Sequence, residues 1–289
     1  MTPDVAELCA VGEAAFANDE FEEAEAWYEL ACSGGYRVVR PGRPTRHDCL
    51  IPNRFARWEQ LRAMMYERSV RRLAKPDPGH VLAVMTVRGR NIPRATTSIM
   101  RALLTWDAWK GRHRLLTDGD NCPLEGQAKT FFRALHWAAQ ISNLTALTLL
   151  EDDVVLAKNA LDYIATTRID PDLAFVSWFS IDSYLGPRLL PLLHCVDARD
   201  YQYNQAITFP ARTVHELLAS DALKNWSEPH GADRIYKDVF PDRKVGIHYP
   251  NLVQHVGGTA SLVGNNHQGA RTSPTFIGEG ADALALVGA

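Results

Sequence analysis

Several features that would classify this chain at once are missing from it. No run of 18 or more apolar residues occurs, so no membrane-crossing helix is expected. The opening MTPDVAELCA lacks the basic-then-apolar layout of a secretory signal, and the expectation is a soluble, cytoplasmic protein with no membrane partner. Five cysteines, Cys9, Cys32, Cys49, Cys122 and Cys195, stand singly with no CxxC pair. That speaks against a disulfide framework and against a zinc knuckle, and the five read as reduced thiols. A phosphate loop of the form GxxxxGK(S/T) is absent. GEGADA, residues 278–283, follows no strand pattern and has the wrong spacing for a dinucleotide-binding turn.

What is present suits one large domain with a substantial core and a smaller appendage: 289 residues, 46% hydrophobic and 22% charged. The net charge of −3 conceals an asymmetry. Residues 1–35 carry nine acidic side chains and no Lys or Arg, a balance of −9. In residues 36–75, ten arginines and Lys75 face only Asp48, Glu59 and Glu67, a balance of +8. Either the two segments neutralise each other within a helical N-terminal unit, or the second offers a basic face to a polyanion.

The periodicity divides the chain at KPDPGH, residues 75–80. Before it, residues 1–75 form a helical N-terminal region: a hairpin over VGEAAFANDEFEEAEAWYELA, a Gly/Pro/Arg-rich arm, and a helix over FARWEQLRAMMYERSVRRL. The hairpin resembles a single tetratricopeptide unit, but no second copy follows, so no repeat array is expected. After it, strand and helix patterns alternate. VLAVMTV (81–87), HRLLTD (113–118), ALTLLE (146–151) and LAFVSWFS (173–180) read as strands. RATTSIMRALLTWDAW, EGQAKTFFRALHWAAQI and LAKNALDYIA read as helices. This order predicts an α/β fold, a mixed, mainly parallel sheet flanked by helices, over residues 80–277, with residues 278–289 as a tail. Ligands of such sheets sit beyond the carboxyl ends of the strands.

At one of those ends lies LTLLEDDVV, residues 147–155, where a buried strand runs into Glu151, Asp152 and Asp153. Acids there can hold magnesium in a nucleotide triphosphatase, but that needs the missing phosphate loop. They can cap a following helix, which explains one acid and not three. They can hold a divalent ion that neutralises a diphosphate, work suited to hard carboxylate oxygens. A second segment, GIHYPNLVQHVGGTASLVG (246–264), sets Gln254 and His255 after an apolar strand. Imidazole there is either a hydrogen-bonded structural group or a ligand for an ion such as manganese.

LTLLEDDVV together with PNLVQHVGG resembles glycosyltransferases of the GT-A fold, the first as their DxD-type acidic motif and the second as the segment that completes metal coordination or touches the diphosphate. The resemblance spans roughly residues 80–277. It implies a metal-dependent, hexosyltransferase-type enzyme that uses Mn2+ or Mg2+ and a nucleotide-diphosphate sugar, read as a UDP-sugar, as donor. It implies Asp153 and His255 as metal ligands, with Glu151 and Asp152 on ribose hydroxyls, the sugar or metal-bound water. TVRGRNIPRATTSIMRAL resembles the opening strand and loop of these enzymes, which implies Thr86 and Arg88 beside the nucleoside. TDGD puts Asp118 at the end of the second strand, where the resemblance implies contact with the base or ribose, and it implies Lys129 of the next helix near the nucleotide. NNHQGARTSP (265–274) resembles a tail that closes on the diphosphate, with His267 and Arg271 as contacts. YNQAITFPARTVHELLAS resembles the acceptor wall, with Gln205 and Phe209 as candidates. For an inverting enzyme, WSEPHGADRIYKDVF offers Asp233, with Glu228 beside it, as the base that deprotonates the acceptor hydroxyl. Asp233 equally suits the N-terminus of a helix electrostatically.

The acceptor is expected to be a glycan, a protein or a small molecule. VRPGRPTR, residues 39–46, is similar to the core by which AT-hooks enter the DNA minor groove, although Pro41 separates Arg40 from Gly42. With the basic stretch 36–75 it admits a hydroxymethylated base in DNA as acceptor. The alternative to an enzyme is a non-catalytic module that binds a nucleotide sugar or nucleic acid.

Overall fold

The computed structural model describes residues 70–72, 75–86, 93–104, 112–117, 123–181, 192–201, 203–224, 233–256 and 272–287. The expected hairpin and basic arm lie outside this set. Strand β1 (Val70–Arg72) leads to β2 (His80–Thr86), helix α1 (Pro93–Leu104), β3 (His113–Thr117), α2 (Pro123–Ala139) and β4 (Ala146–Glu151). A short β5 (Val154–Leu156) precedes α3 (Ala160–Ala165), β6 (Thr167–Ile169) and β7 (Phe175–Ser177). Then come β8 (Leu192–Asp197), β9 (Ala206–Pro210), α4 (Ala211–Ala219), α5 (Asp221–Lys224), α6 (Asp233–Val239), β10 (Lys244–Tyr249) and β11 (Val253–His255). A 3-10 turn over Ala283–Val287 follows.

Seven strands form one sheet in the order β3-β2-β4-β9-β7-β10-β8. The expected α/β class and mixed sheet are found, but the ladders divide evenly. β2/β3, β2/β4 and β7/β10 pair parallel, whereas β4/β9, β7/β9 and β8/β10 pair antiparallel. The expectation of mainly parallel pairing therefore needs correction. Parallel neighbours require a crossover, and α1 and α2 supply it among β2, β3 and β4. Between β7 and β9 the only helical element described is a 3-10 turn over Ala198–Asp200, and β8 and β9 enter reversed.

Both faces of the sheet are covered. Val81, Ala83 and Met85 join a core with Phe131 and Leu135 of α2, Val214 of α4 and Tyr236 of α6. Leu82 and Val84 turn the other way, to Ile99 of α1 and Leu161 and Ile164 of α3. Because successive strand residues face opposite sides, double-sided burial demands the unbroken apolar run seen in β2. One polar line crosses this interior. His80 Nε2 lies 2.7 Å from Thr148 Oγ1, Thr148 Oγ1 lies 2.6 Å from Thr208 Oγ1, and Trp178 Nε1 donates to Thr208 Oγ1 at 2.8 Å. Burial above all holds the His80 pKa down to about 3, so its ring is neutral.

Local expectations fail where tertiary pairing or a special backbone intervenes. Val70–Arg72, assigned to a helix by period, is a strand laid antiparallel on β6. Of LAKNALDYIA only Ala160–Ala165 is helical, because Asn159 sits in the left-handed region at φ 56° and Leu156 ends a strand. LAFVSWFS keeps a strand only over Phe175–Ser177, after which Ser177 Oγ donates to the Phe179 carbonyl at 2.7 Å. Strand β8 had no counterpart among the expected elements. In the segment read as a tail, Ala283 is fully buried and its N–H donates to the Lys158 carbonyl at 2.9 Å. Among the described residues no helix is long and apolar enough to cross a membrane.

Candidate functional site at the end of strand β4

Strand β4 lies inside the sheet, hydrogen-bonded to β2 on one side and β9 on the other. Ala146 to Leu150 are buried, and exposure begins at Glu151, so the acids start where the apolar cover ends. Asp152 and Asp153 form the turn into β5. β5 pairs antiparallel with β11 and sets His255 opposite Val154. The Val256 N–H donates to the Asp153 carbonyl at 2.8 Å, which closes the ladder over the turn.

The three acids take three directions. Asp153 Oδ2 lies 3.2 Å from His255 Nε2, with side-chain exposures of only 8% and 11%. His255 Nδ1 is buried and has no hydrogen-bond partner among the described residues. Asp152 Oδ2 accepts from Thr86 Oγ1 at 2.6 Å, across the ladder that pairs Met85 with Glu151. Glu151 donates its N–H to the Gln205 carbonyl at 3.0 Å, and its Oε1 accepts from Asn204 Nδ2 at 3.4 Å.

Among the described residues no group of three or more His, Cys, Asp or Glu side chains converges to hold a metal ion. The structure instead brings together one pair, Asp153 and His255. A carboxylate and an imidazole about 3 Å apart match two adjacent ligands of an octahedral ion with bonds of roughly 2.1 Å. Ions that act on diphosphates are commonly held by one or two protein groups, with phosphate oxygens and water filling the remaining positions. The pair fits that class of site and does not form a closed protein cage.

Gln254, the residue before His255, is tied from behind. The Ser273 N–H donates to Gln254 Oε1 at 2.7 Å, and Gln254 Nε2 donates to the Ser273 carbonyl at 3.3 Å. Ser273 Oγ donates to Asn251 Oδ1 at 2.6 Å, and Asn251 Nδ2 donates to the His248 carbonyl at 2.6 Å. β11 is thereby tied to the segment that re-enters at Ser273.

The remaining sequence candidates fall as follows. Lys129 is exposed on α2, and Asp233 opens α6 as its first residue. Arg88, Asp118, Glu228, His267 and Arg271 lie outside the described residues. Gln205 is buried, with Oε1 accepting from the Asn204 N–H at 3.2 Å. Phe209 is fully buried, edge-on to Phe131 and Phe175 at 6.1 and 5.4 Å, so it is a core residue and not an acceptor wall. Sequence reasoning passed over Asn204 and Tyr236, whose side chains reach Glu151 in series. Their only sequence signal is position: Asn204 adjoins Gln205 just before a strand, and Tyr236 lies three residues after Asp233. No protein-family model matches the chain, and no curated protein matches it.

Proposed function

We propose that this protein is a metal-dependent glycosyltransferase of GT-A type that moves a hexose from a nucleotide-diphosphate sugar, read as a UDP-sugar, to an acceptor hydroxyl. The observation that carries this reading is the buried Asp153–His255 pair at the carboxyl end of β4, beside Thr86 at the end of β2. In sheets of this class that edge is where nucleotides sit.

In this reading Asp153 and His255 hold Mn2+ or Mg2+. An ion held there would offset the negative charge that develops on the leaving diphosphate. Glu151 and Asp152 accept hydrogen bonds from hydroxyls of the donor, with Thr86 fixing the Asp152 carboxylate. Thr86 and Lys129 border the nucleoside. If transfer inverts configuration, Asp233, or Glu228 near it, takes the acceptor's hydroxyl proton. The acceptor oxygen then bonds to the anomeric carbon as the bond to the diphosphate breaks. The test is a panel of nucleotide sugars with Mn2+, followed by release of nucleoside diphosphate. Metal-dependent release that Asp153→Ala abolishes supports the reading. Donor binding without release in calorimetry points to a non-catalytic module, and neither binding nor release overturns the proposal.

One observation favours an anionic acceptor such as DNA bearing hydroxymethylated bases. The β1/β6 ladder sets Arg71 directly opposite Arg168, at the end of the basic stretch 36–75. Arg168 is exposed there, and a phosphate backbone lying along this edge would be neutralised by it.

A further inference from the structure

We infer that Asn204 and Tyr236 are positioning residues that hold the Glu151 carboxylate for the sugar donor; this rests on the glycosyltransferase reading above. Tyr236 sits on α6, and its ring is fully buried. Phe131 and Phe175 pack edge-on to it with centroids at 6.1 and 4.9 Å, and Phe209 is tilted at 5.8 Å. A ring so enclosed leaves its hydroxyl one place to be. That hydroxyl donates to Asn204 Oδ1.

The contact orients the Asn204 amide. An amide oxygen can only accept and an amide nitrogen can only donate, so a hydroxyl donor on Oδ1 turns Nδ2 away toward Glu151. Nδ2 then donates to Glu151 Oε1 at 3.4 Å, a long bond of the kind that tightens when a site fills. The backbone repeats the arrangement. Gln205 accepts the Glu151 N–H through its carbonyl and the Asn204 N–H through its side chain. Residues 204 and 205 thus grip Glu151 by main chain and side chain together, and the grip is referred to the aromatic core. α6 also begins at Asp233, so the helix that fixes Glu151 is the one whose first residue is the proposed base. A carboxylate held in one rotamer before the donor arrives loses less freedom on binding it.

The experiment is a double-mutant cycle on affinity for UDP-glucose, UDP-N-acetylglucosamine and GDP-mannose, each with Mn2+, measured by calorimetry. N204A weakens binding of whichever donor the wild type takes by about tenfold, the scale of losing a group that orients a ligand-contacting residue. In the E151A background N204A has no further effect, because Asn204 acts through Glu151. Y236F, which removes one oxygen from an otherwise intact ring, follows the same pattern and serves if N204A does not fold. A purely packing role would lower the thermal midpoint of both backgrounds alike and leave donor affinity unchanged. Losses that multiply in the double variant, or donor affinity unchanged in N204A and Y236F, overturn the inference alone. A folded wild type that binds none of the donors overturns the glycosyltransferase reading and this inference together.

Discussion

Asp153 and His255 meet at 3.2 Å in a nearly dry corner, and each constrains what the other can do. A carboxylate this buried needs a partner for its charge, and the imidazole Nε2 at 3.2 Å is placed to be that partner or to share a cation with it. Asp153→Asn keeps the shape and removes the charge. It is expected to lower metal-dependent release of nucleoside diphosphate by at least about a hundredfold, since an ion that polarises a leaving group contributes several kcal/mol and each 1.4 kcal/mol is tenfold. The assay compares initial rates with and without Mn2+; equal metal dependence in the variant contradicts the assignment. A second acid lies in a different part of the fold. Burial first, and Asp282 second, raise the Asp162 pKa to about 6. Its folded pKa stands above the ordinary aspartate value of 3.8, so the folded form holds the proton more tightly. This group's contribution to stability is therefore greatest at acid pH and is lost as pH rises through about 6. Asp162→Asn never ionises, so its stability relative to the wild type should climb between about pH 4 and 6 in denaturant titrations and level off above that. A difference that stays flat over that range contradicts the shift.

Elements are joined here by a few side chains that reach across several of them. Arg243, just ahead of β10, donates to the carbonyls of Pro171 at 2.9 Å, Leu173 at 2.6 Å and Asp172 at 3.2 Å. It also pairs with Glu216 of α4 and lies 5.0 Å from the Phe240 ring. Arg243→Ala should cost about 1–3 kcal/mol, since it leaves half-sheltered carbonyls without their donor. Arg243→Lys should recover little, because an ammonium cannot fork to several acceptors. Urea midpoints at unchanged slope read both effects. The same scale decides how much could be read in advance. The succession β2, α1, β3, α2, β4 was legible because β2 and β4, buried on both faces, write continuous apolar runs and the helices between them write a 3.6 period. The acids were legible because charge at the end of such a run is conspicuous. Strand β8 was not, because its pairing with β10 joins residues some fifty apart and leaves no local period. Gly246 hints at it only in hindsight: a Cβ there would lie 2.5 Å from Leu193 Cδ2 on β8. The route from Tyr236 through Asn204 to Glu151 was equally hidden, since three elements must meet before it exists.

At the scale of the whole molecule the charge is unevenly laid out, −9 over residues 1–35 and +8 over 36–75 within a total of −3. Where the basic stretch enters the described structure, it sets an arginine against an arginine across β1 and β6. Arg168 is exposed and has no hydrogen bond or ion pair among the described residues. Lysine or arginine on an edge strand can serve simply to keep other strands from pairing there, and that role predicts no affinity for anions. A phosphate-binding role predicts affinity that falls steeply with salt, because each neutralised phosphate releases a counterion. Duplex DNA titrated by fluorescence anisotropy at several salt concentrations separates the two. On the DNA reading, Arg168→Glu weakens association at every sequence tried and lowers the slope of log affinity against log salt by about one or more. Its affinity for a nucleotide sugar stays that of the wild type, because Arg168 belongs to the β1/β6 ribbon and not to the turn after β4. Wild-type protein that does not associate with DNA even at low ionic strength removes DNA as the acceptor. The hydroxyl to be glycosylated is then sought on a glycan, a protein or a small molecule, with the proposed donor site unaffected by that result.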